Sequence, residues 1–169
     1  MTGHAYDNVE ITGLTAQDRP RWTELWTAYL AFYKLTLPDE TFEHTWTRLL
    51  DDTAIHGLTA RIDGRIVGLT HFLFHESAWT ITPGCYLQDL FVADAARGHG
   101  VGRALIEAVA ARARTRGSVR LYWLTQSDNT IARLLYDRIA KHSGFIRYEY
   151  ALQLTPGLQF SQCCWPPIA

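Results

Sequence analysis

The run Arg97-Gly-His-Gly-Val-Gly-Arg103 gathers more chemistry into seven residues than any other part of the chain. An apolar stretch, Tyr86-Leu-Gln-Asp-Leu-Phe-Val92, precedes it, and an amphipathic stretch beginning at Val101 follows. A strand passing through a glycine-rich turn into a helix presents backbone N–H groups that lack internal partners. They stand at the helix end whose dipole favours anions. Gly98, Gly100 and Gly102 keep side chains out of the turn, and Arg97 and Arg103 add guanidinium groups at its mouth. The chemistry this suits is binding of a phosphate or diphosphate. A dinucleotide loop, G-x-G-x-x-G, fails whether it is started at Gly98, where Arg103 is out of place, or at Gly100, where Leu105 is. No Gly-Lys-Ser/Thr triplet occurs, so a Walker loop is also excluded. His99, inside the turn, reads as a solvent-facing side chain beside phosphate.

Asp89 is the one carboxylate on the preceding strand, and Gln88 beside it cannot take a proton. Successive strand residues face opposite sides, so only one of the two faces a substrate there. Asp89 suits a base acting through water, a receptor for an ammonium group, or a structural aspartate bonded to loop amides. His71 and His75 share a strand face, but no third ligand has a recognisable metal spacing, and no metal is expected. Cys85, Cys163 and Cys164 are too few and too oddly spaced for a disulfide framework or a zinc site, which points to reduced thiols in the cytoplasm. The net charge of -1 gives no field for nucleic acid or an anionic membrane. No signal peptide and no membrane-spanning run is expected.

The elements that must position these residues follow from periodicity. Val9–Leu14 reads as a short strand. Asp18 is placed to cap a helix with Pro20 in its first turn, whose apolar face is Trp22, Leu25, Trp26, Tyr29, Leu30 and Tyr33. A second helix is expected over Asp39–Asp51. Leu58–Ile62 and Arg65–Phe74 read as strands joined by a tight Asp63-Gly64 hairpin turn. Pro83-Gly84 suggests another turn before the strand Cys85–Val92. A helix over Gly100–Arg116 ends at Gly117. Then come a strand over Val119–Leu124, a helix over Asn129–His142 with Ile131, Leu134, Leu135 and Ile139 inward, and closing strands over Phe145–Leu154. The expectation is one mixed α/β domain, residues 1–155, with a mostly antiparallel central sheet and about four helices. An irregular tail fills 156–169.

Arg97-x-x-Gly100-x-Gly102 resembles the coenzyme A pyrophosphate loop of the GNAT superfamily of N-acetyltransferases. Leu90-Phe91-Val92 before it and Asn129-Thr-Ile-Ala132-Arg-Leu-Leu-Tyr136 after it match the same family's order. Tyr29-Leu-Ala-Phe-Tyr33, Tyr86–Val92, Tyr122-Trp-Leu-Thr125 and Leu135-Tyr-Asp137 resemble its Hpa-type branch, which includes histone, polyamine and D-amino acid acetyltransferases. Gly144-Phe145 lies further from the tyrosine than in most relatives, a spacing this branch shares.

The resemblance implies transfer of an acetyl group from acetyl-coenzyme A to a primary amine by direct attack in a ternary complex. The alternative is a non-catalytic acyl-coenzyme A sensor. Leu90, Phe91 and Val92 would meet the pantetheine arm through backbone groups. Arg97, Gly98, His99, Gly100, Val101, Gly102 and Arg103 would hold the diphosphate. Asn129, Ala132, Arg133 and Tyr136 would line the cofactor from their helix, with Asn129 either bonding the pantetheine or capping the helix. Tyr136 would be the acid that protonates the departing thiolate, and Asp89 is the candidate base. Tyr29, Phe32 and Tyr33, with Gln88 and Asp89, would shape the acceptor site, although core packing suits these aromatics equally. A homodimer is compatible with the resemblance, and the amine itself is not legible.

Overall fold

The computed structural model describes residues 8–150, in two compact units divided along the chain between Trp123 and Leu124. The first unit holds a five-stranded sheet in sequence order: β1 (Glu10–Gly13), β2 (His56–Ile62), β3 (Arg65–His75), β4 (Gly84–Val92) and β5 (Leu121–Trp123). The first four strands pair antiparallel, and β5 lies parallel to β4. The helices are α1 (Arg19–Phe32), α2 (Asp39–Asp51) and α3 (Val101–Thr115), with α4 (Thr130–Ile139) in the second unit. The expected mixed α/β fold, mostly antiparallel sheet and four helices are present.

The faces of β3 divide the core, with a bulge at Val67 that brings Ile66 and Leu69 to one side. Leu69 and Ile66 join Trp22, Leu25, Trp26, Leu30, Trp46, Leu49 and Phe91 in a cluster beneath α1 and α2. Gly68 faces the other way, against α3. A Cβ at Gly68 would lie 3.1 Å from Val101 and 3.3 Å from Leu105, so the glycine lets α3 sit close to the sheet. Asp63 and Gly64 both have positive φ, 49° and 75°, as the tight hairpin between β2 and β3 demands. Removing apolar rings such as the fully buried Trp22 from water contributes roughly 2–3 kcal/mol each.

Several expectations are corrected. Asp18 does not cap α1. Its carboxylate turns back to accept from the Thr15 amide and hydroxyl, at 2.9 and 3.0 Å, and from Arg61 at 2.8 Å. Gly84 opens β4 itself, and the chain bends earlier, at Ile81 and Thr82. β5 is only three residues long, and Val119 is exposed. α4 stops at Ile139 rather than His142, and Ile131 and Leu134 are 74 % and 63 % exposed rather than inward. Residues 145–150 form no strand, and Phe145, Ile146, Tyr148 and Tyr150 are exposed. The rest of the expected closing strands, the tail 156–169, Cys163 and Cys164 lie outside the described residues.

Candidate active site

β4 is paired along its whole length on the β3 side but only from Cys85 to Leu87 on the β5 side. From Gln88 to Val92 it has no partner strand on that second side among the described residues. The backbone groups there are a template for an extended ligand. The register explains why the strand changes character at this point. His71 pairs with Asp89 and Phe72 with Leu87, so one step on β3 spans two on β4, leaving Gln88 as a bulge. Gln88 is exposed and Asp89 is buried, which settles which of the two enters the core.

The open edge leads into the glycine turn. Gly98 and Gly100 adopt φ of 78° and 79°, a conformation side chains with a Cβ rarely adopt. The first helical bond of α3 runs from the Ala104 amide to the Gly100 carbonyl at 3.0 Å. The amides of Val101 and Gly102 therefore have no acceptor inside the helix and point toward the turn. Arg97 donates to the Val92 carbonyl and pairs with Asp94 at 2.7 Å, while Arg103 pairs with Glu107 at 2.7 Å. Each guanidinium stands at the mouth, as the sequence suggests, but is already tethered to an acid. The amides of Val101 and Gly102 thus offer donors to an anion at the turn. His99 lines an open cleft beside the turn, with Arg21, Arg61 and Arg65, and its Nδ1 bonds the Arg97 carbonyl.

Asp89 lies on the α1 side of β4 in a chain of side chains. Its carboxylate is 2.9 Å from His71 Nδ1, and His71 Nε2 is 2.9 Å from the Trp22 indole nitrogen. The Tyr29 hydroxyl also bonds Asp89, and Tyr33 bonds Tyr29. A carboxylate only accepts, so Tyr29 donates to it. Burial, reinforced by the Asp89 charge, holds the Tyr29 hydroxyl far above its usual titration range, and burial likewise raises Tyr33. Tyr29 therefore keeps its proton. Tyr29 stacks edge-on with Tyr33 at 5.1 Å and Phe91 at 6.2 Å, and Phe32 meets Tyr33 at 5.0 Å. Phe32 is 55 % exposed, so part of this aromatic group faces outward rather than into the core.

Asn129, Ala132, Arg133 and Tyr136 stand on the second unit, three and four residues apart, and so share one face of α4. Asn129 caps the helix, accepting from the Ala132 amide at 3.4 Å and donating to Thr125 at 3.1 Å. Arg133 donates to the Ser127 carbonyl at 2.7 Å. Tyr136 is half-buried. His71 and His75 are each committed elsewhere: His75 bonds the Glu76 carbonyl and the Tyr122 hydroxyl. No cluster of three metal-ligating side chains occurs among the described residues. Sequence reasoning missed that His71 and Trp22 support Asp89. The three residues lie far apart in the chain, and no spacing signals their meeting.

The chain matches the Acetyltransferase (GNAT) family over residues 20–140. It is 33 % identical over 146 residues to D-amino-acid N-acetyltransferase HPA3 of Saccharomyces cerevisiae, covering 85 % of this chain and 91 % of that protein. Thialysine N-epsilon-acetyltransferase of Caenorhabditis elegans is 31 % identical over 90 residues, 53 % of this chain and 56 % of the relative. Among solved structures, ribosomal-protein-alanine N-acetyltransferase from Brucella melitensis biovar Abortus 2308 superposes with a TM-score of 0.73 at 28 % identity, over 86 % of this chain and 99 % of that one. No described helix is long and apolar enough to cross a membrane. The chain therefore belongs to the acetyltransferase (GNAT) family, as an N-acetyltransferase whose acetyl donor is acetyl-coenzyme A.

Proposed function

We propose that the protein acetylates a small primary amine, received as its ammonium form by Asp89 beside the aromatic group of Tyr29, Phe32 and Tyr33. The observation that carries this reading is a buried carboxylate placed where β4 leaves its partner strand. The side chain is 12 % exposed, enough to be reached and little enough to be poorly hydrated. The half-exposed aromatic group suits an acceptor with apolar surface next to its amine. HPA3 acts on D-amino acids, which favours an amino acid over a peptide or protein tail.

The residues present fit coenzyme A. Free amides at Val101 and Gly102, and glycines at 98 and 100 whose backbone a larger side chain would strain, suit a diphosphate. The unpaired backbone of Leu90, Phe91 and Val92 suits a pantetheine arm lying as an added strand. Asn129, Ala132 and Arg133 are assigned to the same arm on the strength of the family motif. Bound acetyl-coenzyme A supplies a thioester, the electrophile for direct attack in a ternary complex. Tyr136 holds a proton on Oη for the departing sulfur. Asp89 fixes the amine nitrogen and takes up its proton, directly or through water, while Gln88, exposed at the bulge, borders the acceptor site. A cytoplasmic location and a homodimer belong to the same proposal, the first supported by the sparse cysteines and the buried, unpaired Cys85.

The test is release of free coenzyme A thiol from acetyl-coenzyme A with a panel of D- and L-amino acids, polyamines and lysine peptides. An apolar amino acid should give the highest kcat/KM. Turnover confined to polyamines or lysine peptides would contradict the acceptor assignment.

A further inference from the structure

Asp89 is a buried carboxylate with no arginine or lysine ion pair among the described residues, and the state of its His71 partner is set one residue further back. The Trp22 indole nitrogen can only donate a hydrogen bond. It is 2.9 Å from His71 Nε2, so that nitrogen accepts and carries no proton. The ring proton then sits on Nδ1 and is donated to Asp89 at 2.9 Å. An imidazolium would put an N–H on Nε2 against the indole N–H, two donors facing each other with no acceptor. Trp22 cannot turn aside. Its ring is fully buried, stacks on Trp26 at 4.9 Å and abuts Trp46 at 4.9 Å. Around His71, α1 presents Trp22, Trp26 and Tyr29, β4 presents Asp89, and β2 presents Gly57 across the ladder. Tyr29 and Tyr33 keep their protons, and Arg19 lies outside the tryptophans, over the rings of Trp22 and Trp46. Among the described residues, no arginine or lysine forms an ion pair with Asp89.

We infer that Trp22 and His71 are positioning residues that hold His71 in one neutral tautomer and so leave Asp89 one positive charge short, a deficit the acceptor's ammonium fills. The inference rests on the reading of Asp89 as the amine's receptor. A histidine free to protonate would form its own ion pair with Asp89 and compete with the substrate for that charge. Trp22 prevents this without touching the substrate.

The tautomer is read directly by nitrogen NMR of the histidine rings in the intact protein. His71 should show a protonated Nδ1 and a bare Nε2 throughout the pH range of activity. A proton on Nε2, or a doubly protonated ring in that range, overturns the inference. This readout does not depend on what Asp89 does in turnover.

The functional half is tested with Trp22→Phe, which removes the indole N–H. Relative to wild type, its acceptor kcat/KM should gain a new acidic limb, falling by up to about tenfold per pH unit as the released histidine takes up a proton. The loss should lie in the acceptor KM, with the acetyl-coenzyme A KM unmoved. Trp22→Phe combined with His71→Asn, which cannot carry the charge, should lose that acidic limb. A merely structural tryptophan would give a uniform loss with no new limb and no rescue, and that result overturns the inference. If instead Asp89→Asn leaves the acceptor KM unchanged while the ring spectrum is as expected, the receptor reading fails and the tautomer assignment stands.

Discussion

Asp18 and Asp89 are both buried carboxylates bonded to side chains from other elements, and they are provided for in opposite ways. Asp18 accepts from the Thr15 amide and hydroxyl and from the Arg61 guanidinium, so its charge is neutralised within the fold. Burial works to raise its carboxyl, but the hydrogen bonds from Arg61 and Thr15 outweigh burial and hold it below the ordinary carboxylate value. Among the described residues, Asp89 accepts from Tyr29 and from His71, whose Nε2 is taken by the Trp22 indole N–H, and pairs with no arginine or lysine. A buried charge without a counter-charge costs stability. That cost is tolerated where the counter-charge arrives with a substrate. The contrast sets an aspartate that ties the start of α1 to β2 against one that, on the proposed reading, meets its counter-charge in the substrate.

If Asp89 gathers the amine but does not protonate the leaving group, a separate acid must do so. Tyr136→Phe should then lower kcat by about 10² to 10⁴, with the acceptor and acetyl-coenzyme A KM values little changed; steady-state kinetics with both substrates varied decides this. Next, Asp18→Asn should lose about 2 kcal/mol of stability at pH 7, the worth of charged hydrogen bonds left half-made. Because the folded carboxyl titrates below its unfolded value of about 3.9, this stability is present at higher pH and disappears as pH falls through the folded value. Denaturant unfolding across pH should show the variant and wild type converging in acid, with turnover per folded molecule unaffected at pH 7. Tyr29→Phe removes one neutral donor from Asp89 and no charge, so it should raise the acceptor KM only about fivefold, equivalent to about 1 kcal/mol. Phe32→Ala, trimming an exposed ring at the site's edge, should change the acceptor KM by about twofold to threefold for apolar acceptors and less for polar ones.

What was legible in the sequence was whatever local rules decide. The Asp63-Gly64 turn, the bounds of α2, and the glycine turn feeding α3 depend on residues within a few positions of one another. The errors fall where distant partners override a local preference. Asp18 reads as a helix cap until Arg61, 43 residues on, claims its carboxylate. Ile131 and Leu134 carry a helical apolar stripe, yet both are exposed. Residues 145–150 alternate as a strand should but pair with no strand among the described residues. The site divides the same way. Arg97–Arg103 and the Asn129–Tyr136 stripe are readable as motifs. The union of Trp22, His71 and Asp89 depends on sheet register across the Gln88 bulge, which no window of sequence contains.

If Asp89 is short of a cation because the substrate brings one, removing its charge should affect turnover and stability in opposite ways. Unfolding free energy and acceptor kcat/KM, measured on the same preparations of Asp18→Asn and Asp89→Asn, test it together. Asp89→Asn should keep or gain stability, since it removes an uncompensated buried charge, while losing at least about 10² in kcat/KM for the amine. Asp89→Asn losing stability as Asp18→Asn does, with its acceptor kcat/KM intact, would contradict the account.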